Sequence, residues 1–146
     1  MTLIEMAAII GAITGSVSLG IVIYKTTQER SKLSIQDKDA YHFPPLNENY
    51  NFHEFNVTLT VSNKGKRSTT IHSANLSFNF EGKTFRPEMS GHTYFIQPDS
   101  SEKISLNFHT KKEEFSKNVD LDNGTLELFH THGKKTIQLQ KIRNAK

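Results

Sequence analysis

The chain has no cysteine, no tryptophan and almost no excess of charge of either sign. Without cysteine there is no disulfide framework, no thiolate metal site and no cysteine nucleophile, and the redox compartment stays open. Without tryptophan, the ten phenylalanines must supply much of any core. The net charge is +3, and past residue 32 the chain carries 15 basic and 13 acidic side chains. That balance excludes the basic footprint of a nucleic-acid binder. Catalytic fingerprints are missing as well: there is no G-x-S-x-G, P-loop, dinucleotide motif or H-E-x-x-H. No internal repeat or low-complexity tract occurs. An enzyme is not expected, nor a cofactor.

What is present is one long apolar run, LIEMAAIIGAITGSVSLGIVIY, from Leu3 to Tyr24. Between Met6 and Tyr24 it holds no charge, and as a helix these positions reach roughly 28 Å, close to a bilayer's hydrocarbon thickness. A cleaved signal peptide would begin basic and end at small residues. Here Glu5 precedes the run and Ile21-Val22-Ile23-Tyr24 ends it. The expected division is a membrane helix over 1–25, a linker over 26–32 and a β domain over 33–146. Residues 3–24 then take the lipid bilayer as partner. Ala8, Gly11, Gly15 and Ser18 share one helix face, and Gly11-x-x-x-Gly15 is the spacing that lets two helices approach closely in lipid. That face is the candidate for homo-oligomerisation. Lys25, Arg30 and Lys32 follow the span against Glu29 alone, so the positive-inside rule places the domain in the cytoplasm.

Beyond the linker, apolar residues alternate. Leu33 and Ile35 open a first strand, and Tyr41 to Asn51, with Pro44-Pro45, reads as a loop. Phe55, Val57, Leu59 and Val61 then mark the clearest half-buried strand, with a turn at Asn63-Lys64-Gly65-Lys66 in which Gly65 is free to take positive φ. Further strands are expected around Ile71 to Phe80, at Phe85, at Tyr94-Phe95-Ile96, and over Ile104, Leu106 and Phe108. Lys111 to Lys117 reads as a helical turn or charged loop, and Asn123-Gly124 as a turn before strands at Leu126 and Ile137. Seven or eight short strands with regular turn signals indicate an antiparallel immunoglobulin-like β-sandwich, with a small barrel as the alternative.

The stretches GAITGSVSLGIVIYK, Lys32-Leu33-Ser34-Ile35 and VTLTVSNKGKRSTTI together resemble a loose group of bacterial membrane proteins with one N-terminal span and a small β-sandwich. The resemblance implies architecture and membrane location. Met1-Thr2-Leu3-Ile4-Glu5 is also similar to the start of a mature type IV pilin. That second resemblance implies a subunit-docking role for Glu5, a processed Met1 and a helix continuing past residue 32.

The seven histidines invite a metal reading. His130-Thr131-His132 would place two imidazoles on one strand face, with His109, Asp120 or Asp122 as a third ligand. Exposed polar positions are the commoner role for such a pair, and no metal is expected. Asp120-Leu-Asp122-Asn123-Gly124 is one residue short of a calcium loop and lacks its closing glutamate. Glu113-Glu114 among lysines reads as a solvated charge run. The triplets at Asn56, Asn75 and Asn123 fit the glycosylation pattern but arise easily in a chain rich in Asn, Ser and Thr. Two basic groups stand out: Lys64, Lys66 and Arg67 in one turn, and Lys134, Lys135, Lys141, Arg143 and Lys146 toward the C-terminus. Protection of sheet edges is the role expected of them, with attraction to anionic lipid as the alternative if both face the bilayer.

The expected function is therefore a membrane-anchored, non-enzymatic module for protein–protein interaction. Its candidate surface is Tyr41, Phe43 and Tyr50 with Lys64, Lys66 and Arg67. The alternatives are a pilin-like filament subunit and a membrane-bound ligand sensor, the latter requiring a concave pocket with convergent polar groups.

Overall fold

The computed structural model describes residues 2–28, 31–45, 52–111 and 121–145. The apolar run forms α1, Leu3–Gln28, ending three residues later than expected and short of the continuation past residue 32 that a pilin-like subunit requires. Its start is a reciprocal capping box. The Thr2 amide donates to Glu5 Oε2 at 2.7 Å and the Glu5 amide to Thr2 Oγ1 at 3.3 Å. Inside the helix, the hydroxyls of Thr14, Ser16, Thr26 and Thr27 fold back onto the carbonyls of Ile10, Ala12, Val22 and Ile23 at 2.7–2.9 Å. These polar groups are satisfied without leaving the helix.

Among the described residues nine strands follow: β1 Leu33–Phe43, β2 Phe52–Asn63, β3 Thr69–Phe80, β4 Lys83–Phe85, β5 Glu88–Ser90, β6 Tyr94–Ile96, β7 Ser100–Lys111, β8 Leu121–His130 and β9 Gly133–Asn144. They form one sheet in the order β4-β3-β8-β9-β1-β2-β7-β5, with β6 also on β3. Every pairing is antiparallel except β1 with β9. That parallel seam has two residue pairs, Tyr41 with Arg143 and His42 with Asn144. Across the opposite side, β5 lies on β7 and β6 on β3. There the Tyr94 hydroxyl donates to the Ser105 carbonyl, and the Ala74 amide points at Met89 Sδ, 3.1 Å away. The sheet is thus curled on itself as a half-barrel.

Period-2 alternation drives this. Along β2, His53, Phe55, Val57, Leu59, Val61 and Asn63 all point inward, while Phe52 and Glu54 face out. With Ile71, Leu76, Phe78, Ile104, Leu106, Phe108, Leu126, Leu128 and Ile142 they fill the curl. Each such apolar side chain contributes about 1.5–3 kcal/mol on burial.

Three expectations need correction. Tyr41 to Phe43 belong to β1 rather than to a loop, because the ladder with β2 runs on to Phe43 opposite Glu54. Asn123-Gly124 is not a hairpin apex but lies inside β8, with Gly124 bridging to both Phe78 and Leu139. A Cβ at Gly124 would meet Ile142 Cδ1 at 3.3 Å, so packing rather than turning asks for the glycine there. Gly65 does not take positive φ; among the residues that do are Glu81 and Gly82, the two-residue turn between β3 and β4, and Asn123 within β8. The Lys111–Lys117 segment lies outside the described residues past Lys111.

Antiparallel meandering gives the domain two distinct ends. β1, which follows the helix, starts at one end, and there too lie the β2–β3 and β8–β9 turns. The far end holds Phe43, Phe52, Phe80 and Lys111.

Candidate functional site

The helix presents its whole circumference. None of the span Ile4–Thr27 is buried, and Ile10 and Leu19 are each 61% exposed. Ala8, Gly11, Gly15 and Ser18 are all exposed, and a Cβ on Gly11 or Gly15 would meet nothing within 4 Å. The Glu5 carboxylate accepts from the amide of Thr2, the residue that caps the helix.

At the helix-proximal end, the basic turn is built around Asn63, which is 1% exposed. Its Oδ1 accepts from the amides of Gly65 at 3.1 Å and Lys32 at 3.3 Å. Its Nδ2 donates to the carbonyls of Arg67 at 2.7 Å and Ile96 at 3.4 Å. The Lys64 amide adds a bond to the Lys32 carbonyl at 2.9 Å. One side chain therefore fixes the turn against the residue through which the chain enters the sheet. Lys64, Lys66 and Arg67 are exposed on it.

His130 and His132 lie beside that turn. His130 ends β8 and His132 sits in the β8–β9 turn, so the two are not on one strand face as expected. His130 Nδ1 meets Thr69 Oγ1 and the His132 amide, each at 3.3 Å, and His132 Nε2 meets the Ser68 carbonyl at 3.3 Å. Burial, then the charges of His132, His72 and Lys135, hold His130 below the ordinary imidazole range. His109 is elsewhere, with Glu88 at 3.7 Å and Ser90 at 3.2 Å, and Asp120 lies outside the described residues. Among the described residues no group of three or more His, Cys, Asp or Glu could hold a metal ion.

At the far end, Tyr41 is half-buried, Phe43 and Phe52 are exposed, and Tyr50 lies outside the described residues. Phe43 and Phe52 are diagonal neighbours on the outer face, within reach of one another. Behind them runs a buried polar chain that sequence reading missed. His42 Nδ1 meets Asn144 Oδ1 at 2.8 Å, and His42 Nε2 meets His53 Nδ1 at 2.9 Å. Both rings are at most 1% exposed, and His42 stacks on Phe55 at 4.9 Å. Since Asn144 offers an oxygen, His42 carries its proton on Nδ1 and accepts from His53. Burial lowers the His42 pKa below 6.5, partly opposed by the Asn144 bond. This chain ties β1, β2 and β9 together where the seam is only two pairs long. The signal was available: the β2 alternation, continued one step either way from Phe55 and Val61, points His53 and Asn63 inward.

Two hollows of about 260 Å³ each mark the surface, one along the seam between Lys38 and Arg143, one between Phe52, Arg86 and His109. Both fall below the roughly 300–1,000 Å³ of typical small-molecule sites.

No protein-family model and no curated protein matches this chain. Solved structures are similar in shape. The putative ApaA protein from Bordetella pertussis aligns with a TM-score of 0.45 and 11% identity, covering 78% of this chain and 93% of that one. The copper-bound PCuAC domain from PmoF2 aligns with a TM-score of 0.48 and 12% identity, covering 80% and 99%. Likenesses of this size carry no argument about activity.

Proposed function

We propose that this chain is a membrane-anchored, non-enzymatic module in which α1 crosses a bilayer and the β domain, held on its cytoplasmic side, binds another protein. One observation carries the reading: a 24-residue apolar stretch has no buried residue, while the inward face of the sheet is already filled by the domain's own side chains. An apolar surface of that extent needs an apolar surrounding, and its hydroxyls are arranged for one. In this reading the domain is the small-barrel alternative rather than the immunoglobulin-like sandwich, supported by the continuous strand order through the β1–β9 seam. The Phe43–Phe52 patch, farthest from the helix, is the protein-binding face. The open Ala8, Gly11, Gly15 and Ser18 stripe serves helix pairing.

The absence of cysteine makes the test clean. Ser34→Cys and Ser101→Cys variants of the full chain are labelled in intact cells with a membrane-impermeant thiol reagent, and the membranes are then washed with alkaline carbonate. The expected result is retention in the membrane and labelling only after lysis. Release by carbonate would overturn the anchor, and labelling of intact cells would overturn the sidedness.

A further inference from the structure

Two cationic groups far apart in sequence meet at one end of the domain. The β8–β9 turn is stapled to the start of β3: the Thr131 amide donates to the Thr70 carbonyl at 3.0 Å, and the Thr70 amide to Thr131 Oγ1 at 3.1 Å. This sets Lys134 and Lys135, at the start of β9, on the same end as the Lys64–Arg67 turn. Lys141 and Arg143 lie at the opposite end, opposite Asp122 and beside Tyr41. The C-terminal cations are thus divided, and only part of them joins the turn.

Chain length decides which way this end faces. Leu33 follows Gln28 by five residue steps and so lies within about 18 Å of it whatever course residues 29–32 take. A 12-residue strand such as β2 reaches about 40 Å. The end carrying the two turns is therefore the one nearest the helix exit. Asn63 fixes the turn to Lys32, directly in the connection from the helix. Among the described residues the acidic side chains near this end are Asp37, Asp99, Glu102 and Glu127, the last held by Lys134 at 2.6 Å.

We propose that Lys64, Lys66, Arg67 and Lys135 form a docking surface for the headgroups of anionic phospholipids in the bilayer that α1 crosses. The proposal rests on the anchored reading and adds to it an orientation: the domain sits end-on against the membrane, with the Phe43–Phe52 patch held outward. The occupant follows from charge complementarity and from continuity with the span. Each lysine or arginine near an anionic surface is worth roughly a fivefold gain in local partitioning.

The test uses the full chain in nanodiscs of phosphatidylcholine, with or without a third of the lipid replaced by phosphatidylglycerol. A donor dye is attached through Gln97→Cys, exposed at the helix-proximal end, or through Thr84→Cys, exposed at the far end, and the acceptor is a headgroup-labelled lipid. Energy transfer from position 97 is expected to rise at least twofold with phosphatidylglycerol while transfer from position 84 does not rise. The rise should vanish at about 1 M salt, where screening falls to roughly 3 Å. It should vanish too in the Lys64→Gln, Lys66→Gln, Arg67→Gln, Lys135→Gln variant, and persist when the three lysines become arginine. Equal transfer in both lipids, or a wild-type response from the glutamine variant, would overturn the proposal and leave the anchor intact. A chain that enters neither kind of nanodisc would overturn both.

Discussion

Asn63 serves four backbone groups from a site that is 1% exposed: two amides and two carbonyls, drawn from Gly65, Lys32, Arg67 and Ile96. Alanine there removes the side-chain bonds of the buried Gly65 amide and Ile96 carbonyl and of the half-buried Lys32 amide and Arg67 carbonyl. Asn63→Ala is expected to cost about 2–3 kcal/mol, read as a lower urea midpoint with an unchanged slope. Faster hydrogen exchange at the Lys32 and Gly65 amides would accompany it. His42 makes a different kind of prediction. Its pKa is lowered in the fold from 6.5, mainly by burial, so the unfolded chain takes up the proton first as pH falls. Stability is then full above pH 6.5 and declines as pH descends below it. Unfolding midpoints taken between pH 8 and pH 5 should show that decline, and His42→Gln should flatten it while lowering the plateau. A decline of equal slope in His42→Gln would assign the effect to another group, since His130 is also lowered.

Among the elements, the β3–β4 hairpin carries the clearest local conflict. Both turn residues have positive φ, 49° at Glu81 and 77° at Gly82, the pattern of a two-residue hairpin that favours Asn-Gly. Glutamate is a poor occupant of that conformation. Glu81→Asn is expected to raise stability by about 0.5–1 kcal/mol, seen as a higher melting temperature with an unaltered circular dichroism spectrum. The hairpin was legible because Glu81-Gly82 interrupts a run of alternating phenylalanines. The long strands β2 and β7 were legible for the same reason: one face is filled and the other is wet, so composition follows the pleat. β5 was not, since three residues following Pro87 bear no period, and their strand state comes from pairing with β7. Asn123-Gly124 misled because the local signal for a turn is identical to that for a strand needing one residue without a side chain. The two end surfaces were half legible. Lys64, Lys66 and Arg67 announce themselves as a turn, but their meeting with Lys135 depends on strand pairing that no local window contains.

For the whole molecule, the sequence divides cleanly into an apolar helix with no buried residue and a sheet whose inner face is filled by its own side chains. Composition made that division visible, because nineteen uncharged positions from Met6 to Tyr24 sit next to a chain of alternating polarity. The curl of the sheet was not visible. It depends on the β1–β9 seam, on Ala145 donating to the His42 carbonyl at 2.9 Å, and on the β5–β6 segment reaching between β7 and β3. These contacts are long in sequence and short in space, and periodicity says nothing of them.

The seam also sets a clock. His42 waits for Asn144, 102 residues later in the chain. At about 5–20 residues per second, synthesis needs on the order of 5–20 s to supply it. Once β2 is made, β1 has it on one side while the flank that β9 covers stays bare, a nascent sheet tethered beside the helix that preceded it. β9, the last strand among the described residues, is the one that closes the seam on β1.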